Sequence, residues 1–324
     1  MNDRDPLKPS SDASTGASAG SIAMIDDRQA RRVAIVANPF SGARRNHEVV
    51  GKLIAALASH QLESHEIRHL DELAAVRSPE TAGQYRCVVA AGGDGTLHRV
   101  LNERLPLPVA VLPLGNENLF ARHFGFDREP EAIAEAIAAG RTRPIDLGSV
   151  NGQLFSIVVS AGFDGEVVHR LAEWRSRGHQ LRRVNSRAYV APLLAAACSY
   201  QYPTVEVQAD DQTVRGALAM VFNLPIYGLR LQFAPDACCD DGWLDWVVFT
   251  RPGRLPLVGY ALSVLLGRHQ ARSDVIHGRC RQLTMTSAAR VPVEVDGEAA
   301  GHTPLTIEAV PRAARVIVPT DAGG

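Results

Sequence analysis

Gly92-Gly93-Asp94-Gly95-Thr96 sets three glycines, a carboxylate and a hydroxyl in a pattern suited to holding a phosphate. Glycine has no Cβ to keep a phosphate oxygen from backbone N–H groups, and a helix starting next offers its first amides and the positive end of its dipole. The apolar run Cys87-Val88-Val89-Ala90-Ala91 reads as a strand feeding that turn, and Leu97 to Leu101 as the helix leaving it. Thr96 adds a hydroxyl donor. A ligand-free turn would use the same glycines. Asp94 tips the reading, because an acid beside a polyanion makes sense mainly where a divalent cation, a water or an acceptor hydroxyl lies between them.

The pattern recurs twice. Val33 to Ala37 is a short apolar run followed by Asn38-Pro39-Phe40-Ser41-Gly42, and the periodic set Val49, Val50, Leu53, Ile54, Leu57 then predicts a helix. Val109 to Leu112 leads in the same way to Pro113-Leu114-Gly115-Asn116-Glu117-Asn118 and Leu119 to Arg122. Ligands of an open α/β sheet sit at the carboxyl ends of its parallel strands, so the three turns are expected to converge. Two acidic clusters lie far downstream. Asp296-Gly297-Glu298 joins alternating strand-like residues, which is also a leading hairpin-turn signal. Asp240-Asp241-Gly242 precedes another strand, where a solvated acidic turn is the plain alternative.

In these motifs the chain resembles the diacylglycerol kinase catalytic family, which includes bacterial lipid kinases and sphingosine and ceramide kinases. The resemblance covers about residues 32 to 320. It rests on Asn38 to Gly42, Gly92 to Thr96, Leu112-Pro113-Leu114-Gly115, Ser160-Ala161-Gly162-Phe163-Asp164, Asp240 to Leu244, and Val295 to Glu298. The chain has no Gly-Lys-Ser/Thr ending of a Walker loop, no GxGxxG and no HExxH. The resemblance implies transfer of the ATP γ-phosphoryl group to a lipid hydroxyl in a cleft between two domains, with ATP and Mg²⁺ as cofactors. Asn38, Pro39, Phe40, Ser41, Gly42, Gly92, Gly93, Asp94, Gly95, Thr96, Leu97 and Asn116 would hold the nucleotide, with Gly92 to Leu97 at the centre. Asp296 is the first choice for general base; Glu298, two residues on, is the second, and Asp94 the third. For a structural Mg²⁺ the resemblance implies the Asp241 carboxylate with the backbone carbonyls of Cys238 and Trp243.

Departures are specific. Gly115-Asn116-Glu117-Asn118-Leu119-Phe120-Ala121 replaces the family's Gly-Thr-x-Asn-Asp-Phe-Ala, which removes a Thr at Asn116 and an acid at Leu119. Asp94 and Asp146 remain. His98 and Arg99 replace the commoner Asn-Glu and are read either as phosphate ligands or as exposed helix residues. These changes bear on the substrate more than on the fold.

The elements that position these residues change character near Asp146. Before it, strands alternate with helices such as Pro130 to Ile137, which opens on Pro and stops at Gly140. After it come strand-like runs at Leu154–Val159, Val205–Gln208, Leu218–Phe222, Leu244–Phe249 and Val291–Val295. Ala188–Ala197 and Leu255–Leu266 look helical, the second with the composition of a core helix. The expected fold is an α/β N-terminal domain with a parallel sheet plus a mainly antiparallel β C-terminal domain, of the two-domain NAD kinase and diacylglycerol kinase type. Residues 1–31 read as a disordered leader, 32–147 as the nucleotide-binding domain and 148–305 as the lipid-substrate domain. The resemblance implies that the last strand, within 306–320, completes the first domain.

At 324 residues and 46% hydrophobic, the chain can form two cores. A net charge of −1 gives no global field for nucleic acid. Five cysteines without a CxxC spacing suit a reducing cytoplasm. The most apolar run, Leu255 to Gly267, falls short of the roughly 20 residues a membrane span needs. Arg170, Arg175, Arg177, Arg182, Arg183 and Arg187, against the single acid Glu173, are a solvated loop or a dock for anionic lipid. The expected partner is thus a lipid substrate at the inner face of the cell membrane, met by a peripheral cytoplasmic enzyme, and a homodimer is compatible with it. Phosphorylation of a soluble hydroxyl compound or of NAD is the alternative activity; an ATP-binding regulatory module without turnover is the non-enzymatic one.

Overall fold

The computed structural model describes residues 23–25, 30–37, 44–176 and 199–319. After a two-residue strand β1 (Ala23–Met24), four parallel strands form the first layer: β2 (Arg32–Ala37), β3 (Glu63–Ile67), β4 (Tyr85–Gly92) and β5 (Val109–Pro113). Their order is β3-β2-β4-β5. β4, from Cys87 on, and β5 are apolar and buried on both faces, the pattern of a parallel sheet covered by helices on each side. The helices are α1 (Arg44–Ser59), the short α2 (Leu73–Arg77) and α3 (Pro79–Ala82), α4 (Asp94–Asn102), α5 (Leu119–His123) and α6 (Pro130–Ala139). α1 buries Val50, Leu53 and Leu57, spaced three and four apart. α6 begins on Pro130 and ends at Gly140 in the left-handed conformation, φ 69°.

The rest is mainly antiparallel. β6 (Arg141–Val150) and β7 (Gln153–Phe155) form a hairpin, and β8 (Val158–Gly162) runs into α7 (Phe163–Ser176). The strands that follow are β9 (Val205–Ala209), β10 (Gln212–Gly216), β11 (Leu218–Phe222) and β12 (Leu244–Phe249). After α8 (Arg254–Leu265) come β13 (Val275–Cys280), β14 (Gln282–Thr286), β15 (Pro292–Val295), β16 (Glu298–His302) and β17 (Leu305–Ile317). One sheet has the order β13-β12-β11-β8-β15-β16. The other strands extend the first sheet, because β17 pairs antiparallel with β14 and β6 and, at Val316, parallel with Val109 of β5. Trp246, Val293, Met285 and Ile307 pack between the two sheets in a second core. The fold is the expected α/β layer with an antiparallel β domain beside it.

Two readings need correction. The single strand expected over 154–159 is two strands, β7 and β8, with the corner at Ser156–Ile157 between them. α8 is not a core helix: one side of it is exposed. Its mean composition could not show this, because a helix apolar all round gives no sign of which side is covered. The expected helix over 188–197 lies outside the described residues. Among the described residues, Cys87, Cys238, Cys239 and Cys280 are unpaired. No described helix is long and apolar enough to cross a membrane.

Candidate functional site at the junction of the two sheets

The parallel register brings the strand ends together: Ala37 lies opposite Ala91, and Gly92 opposite Pro113. Asn38, Pro39, Phe40, Ser41 and Gly42, which follow Ala37, lie outside the described residues. The turns after β4 and β5 are in backbone contact. Leu114 N donates to Gly92 O (2.9 Å), and a Cβ built on Gly115 would lie 2.5 Å from Gly93 Cα, so the second turn has no room for a side chain there. Asn118, in the left-handed conformation, ties the second turn by accepting from Gly115 N and donating to Gly115 O, both at 2.9 Å.

Each named residue of the first turn has a definite place. Asp94 opens α4, and its carboxylate accepts from Leu119 N (3.1 Å) and Phe120 N (3.2 Å), capping α5. Burial pushes its pKa up, and those two amides oppose the rise. Thr96 is buried, with its side chain over Gly92. Leu97 is buried too, and the amides of both donate to Gly93 O, at 2.9 and 3.2 Å. Gly95 faces across the junction, where a Cβ would sit 2.9 Å from Glu298 Oε1. Asn116 is exposed on the second turn, and Leu119 is part of the core. The acid missing at Leu119 is thus replaced by an apolar side chain whose own amide Asp94 holds.

Opposite that turn, β15 and β16 form a hairpin whose two turn residues, Asp296 (φ 49°) and Gly297 (φ 82°), are both left-handed. Two of its carboxylates, Asp296 and Glu298, have opposite environments. Asp296 is 1% exposed at the side chain. Its Oδ1 accepts from Ile157 N (2.8 Å) and Val158 N (3.1 Å). Its Oδ2 accepts from Ser156 N (2.8 Å) and Ser156 Oγ (3.1 Å), and lies 3.2 Å from His98 Nδ1. Five donors fill the roughly four lone-pair sites of a carboxylate, so neither oxygen is turned to a substrate. Glu298, by contrast, is exposed and reaches the start of α4.

His98 is neither a phosphate ligand nor an exposed helix residue. It is buried on α4, with Nε2 2.7 Å from the Gln153 amide nitrogen, a donor, so Nδ1 carries the proton toward Asp296. Asn102, one turn on, donates to Leu154 O and accepts from Leu154 N, both at 2.9 Å. α4 is therefore pinned to the β7–β8 corner. Sequence reasoning missed Gln153 and Ser156 altogether, and no local signal marks them. Arg99 stays exposed, its Nε 3.3 Å from Gly95 O.

The acidic turn is tied to this junction through Asp146 and Asn223, whose Nδ2 donates to Asp146 O (3.1 Å) and Ser156 O (3.0 Å). Asp241 Oδ1 accepts from Trp243 N (3.0 Å), and its Oδ2 pairs with Arg279. Asp240 pairs with Arg143 and accepts the Cys238 thiol proton (2.8 Å). Asp146 accepts from Gly242 N (2.6 Å) and Arg312 N (2.7 Å), joining the turn to β6 and β17. Asp245 Oδ2 is buried without a hydrogen-bond partner, 3.7 Å from Arg279 Nε. Among the described residues no three His, Cys, Asp or Glu side chains gather as a metal cluster. The Asp241 carboxylate with the carbonyls of Cys238 and Trp243 is an all-oxygen donor set, chemically suited to a hard dication.

Comparison with known proteins agrees with this layout. Residues 32–150 match the model of the diacylglycerol kinase catalytic domain, and residues 157–318 that of the YegS C-terminal NAD kinase beta sandwich-like domain. The chain is 25% identical over 306 residues to "Diacylglycerol kinase" of Bacillus subtilis, covering 90% of this chain and 97% of that one. It is 33% identical over 245 residues to "Probable lipid kinase YegS-like" of Pseudomonas aeruginosa, covering 74% of this chain and 78% of the relative. A crystal structure of a diacylglycerol kinase from Bacillus anthracis superposes with a TM-score of 0.64 at 20% identity, over 92% of this chain and all of that one, which speaks for the fold. With both domains matched in order along nearly the whole chain, the protein belongs to the diacylglycerol kinase family of lipid kinases.

Proposed function

We propose that this chain is an ATP- and Mg²⁺-dependent kinase of a lipid hydroxyl, with Glu298 as general base and Asp296 as the residue that positions it. The observation that carries the reading is the placing of the Glu298 carboxylate over Gly95 at the start of α4, while Asp296 is filled by protein donors. The first amides of α4 would take the phosphates of ATP, and Asn38 to Gly42 would close the nucleotide site from β2. Glu298 then removes the acceptor's hydroxyl proton as that oxygen bonds to the γ-phosphorus. The bond from phosphorus to the β–γ bridging oxygen breaks, and ADP leaves with the electron pair.

Asp241 with the carbonyl oxygens of Cys238 and Trp243 would hold Mg²⁺, with Arg279 giving up its contact to the carboxylate. There the ion would neutralise the acids of the turn and brace the loop that Asp146 ties to β17. Asp94, which caps α5, keeps the two glycine turns together. A lipid acceptor has to be met at a bilayer surface, which suits a peripheral enzyme at the inner face of the cell membrane.

The test is transfer of label from ATP in the presence of Mg²⁺, with and without mixed lipid vesicles. Label recovered in the organic extract is expected; label only in the aqueous phase, or tight ATP binding without turnover, overturns the lipid reading. Glu298→Gln is expected to cut turnover about a hundredfold, the scale of a lost general base, with little change in ATP affinity. Undiminished turnover removes Glu298 from the role.

A further inference from the structure

The large apolar side chains that stand exposed among the described residues all fall on one element. Leu255, Val258, Leu262, Leu265 and the adjoining Leu266 of α8 are between 57% and 87% exposed. Their spacing of three, four and three residues puts them on one side of the helix. The other side is anchored: Tyr260, Ser263 and Val264 are buried, and Leu257 packs on the cluster of Phe163, Val167 and Leu171. An exposed leucine stripe on a rigid, packed helix is the mark of a contact surface.

Charge identifies the occupant. From Arg251 to Ser273 the chain carries four arginines and no Asp or Glu. Arg251 and Arg272 reach back to Asp274 behind the helix. Arg254 and Arg268 are exposed at its two ends. An apolar stripe in a segment that carries four arginines and no acid complements a surface that is anionic outside and hydrocarbon beneath. α7, on which Leu257 rests, packs in turn on β15 and β16, the hairpin that bears Glu298. We propose that α8 docks the protein on an anionic lipid bilayer, its leucines entering the headgroup–acyl boundary and Arg254 and Arg268 meeting the headgroups.

The docking needs neither ATP nor an acceptor hydroxyl, so vesicles without an acceptor test it apart from the kinase reading. The full chain is sedimented with vesicles of phosphatidylcholine alone or with about 30 mol % phosphatidylglycerol, an anionic surface of the relevant kind. Wild type is expected to partition to the anionic vesicles at least about tenfold better, and L255S/L262S/L265S to lose at least about tenfold of that binding. R254E/R268E should abolish the preference for anionic over neutral vesicles. Leu265→Trp reads the face without removing it, and brominated acyl chains should quench its added emission. Failure of wild type to bind, equal binding by the triple variant, or an unquenched Trp overturns the proposal. So does a wild-type dimer that the leucine substitutions convert to a monomer, which would assign the stripe to a second copy.

Discussion

The two sides of the junction solve opposite problems with the same groups, backbone amides and carboxylates. On the parallel side, the turns after β4 and β5 touch through Gly93 and Gly115, and Asp94 is used up in capping α5. That side presents the start of α4 on a backbone held close to the second turn. On the antiparallel side the amides of Ser156, Ile157 and Val158 are occupied, by Asp296, and the hairpin they fasten holds Glu298 out toward Gly95. The difference shows a division of labour: on one side a carboxylate is spent in holding two turns together, and on the other a carboxylate is spent in holding its neighbour's hairpin still.

Removing the fastener should have the largest effect. Asp296→Asn puts an NH₂ group where several donors converge, so buried amides lose their acceptor, at roughly 1–3 kcal/mol each. We expect a loss of about 3 kcal/mol in a urea midpoint at unchanged slope. Glu298→Gln, at an exposed position, should stay within about 0.5 kcal/mol of wild type. Equal stability of the two variants would erase the distinction between the hairpin's carboxylates.

A smaller effect is expected on the parallel side. Gly115→Ala forces a Cβ against Gly93 Cα, and overpacking of this kind costs typically about 1–3 kcal/mol. Spreading the two turns should also weaken ATP binding, measured by calorimetry. A variant with wild-type stability and affinity would show that the turns need not touch.

The smallest expected effect concerns what lies beneath the hairpin. Glu294 is fully buried on β15, accepts from Gly297 N (2.8 Å) and faces Asp164, whose carboxylate accepts from Ser160 Oγ and Tyr227 OH, both at 2.8 Å. Burial raises the pKa of both acids, and for Glu294 the neighbouring Asp164 charge adds to the rise. The folded state therefore binds protons that the unfolded state releases, so stability falls as pH rises above the ordinary carboxylate value, 4.5 for Glu294. Glu294→Gln, which is neutral throughout, should flatten that decline by about 1 kcal/mol between pH 5 and 8. Parallel pH profiles would show that Glu294 is ionised in the fold.

Much of the scaffold was legible. β11 and β12 begin and end where the strand-like runs place them, and α6 stops at the glycine its sequence marks. The length of β17 was not: its first half alternates over a half-exposed face, and pairing with β6, more than 150 residues earlier in the chain, extends it. In the site, the glycine turn and the Asp-Gly hairpin were readable from local residues. His98 was misread because nothing near it in the chain indicates that α4 would be covered by β7. α8 was misread in the other direction, since its leucines announce burial wherever they occur.

The sequence by itself determined which backbone conformations were available: glycines where strands turn into helices, Asp-Gly where two strands reverse, and a carboxylate on each side. These depend on φ, ψ and side-chain size, which act over a few residues. Only the tertiary structure decided which carboxylate is spent and which is presented. The donors that fill Asp296 stand 138 to 198 residues away in the chain, and two residues' difference along one hairpin separates a buried acid from an exposed one. Desolvation and hydrogen-bond saturation are properties of what packs around a group, so two neighbouring acids of like chemistry acquire different roles only when the sheets meet.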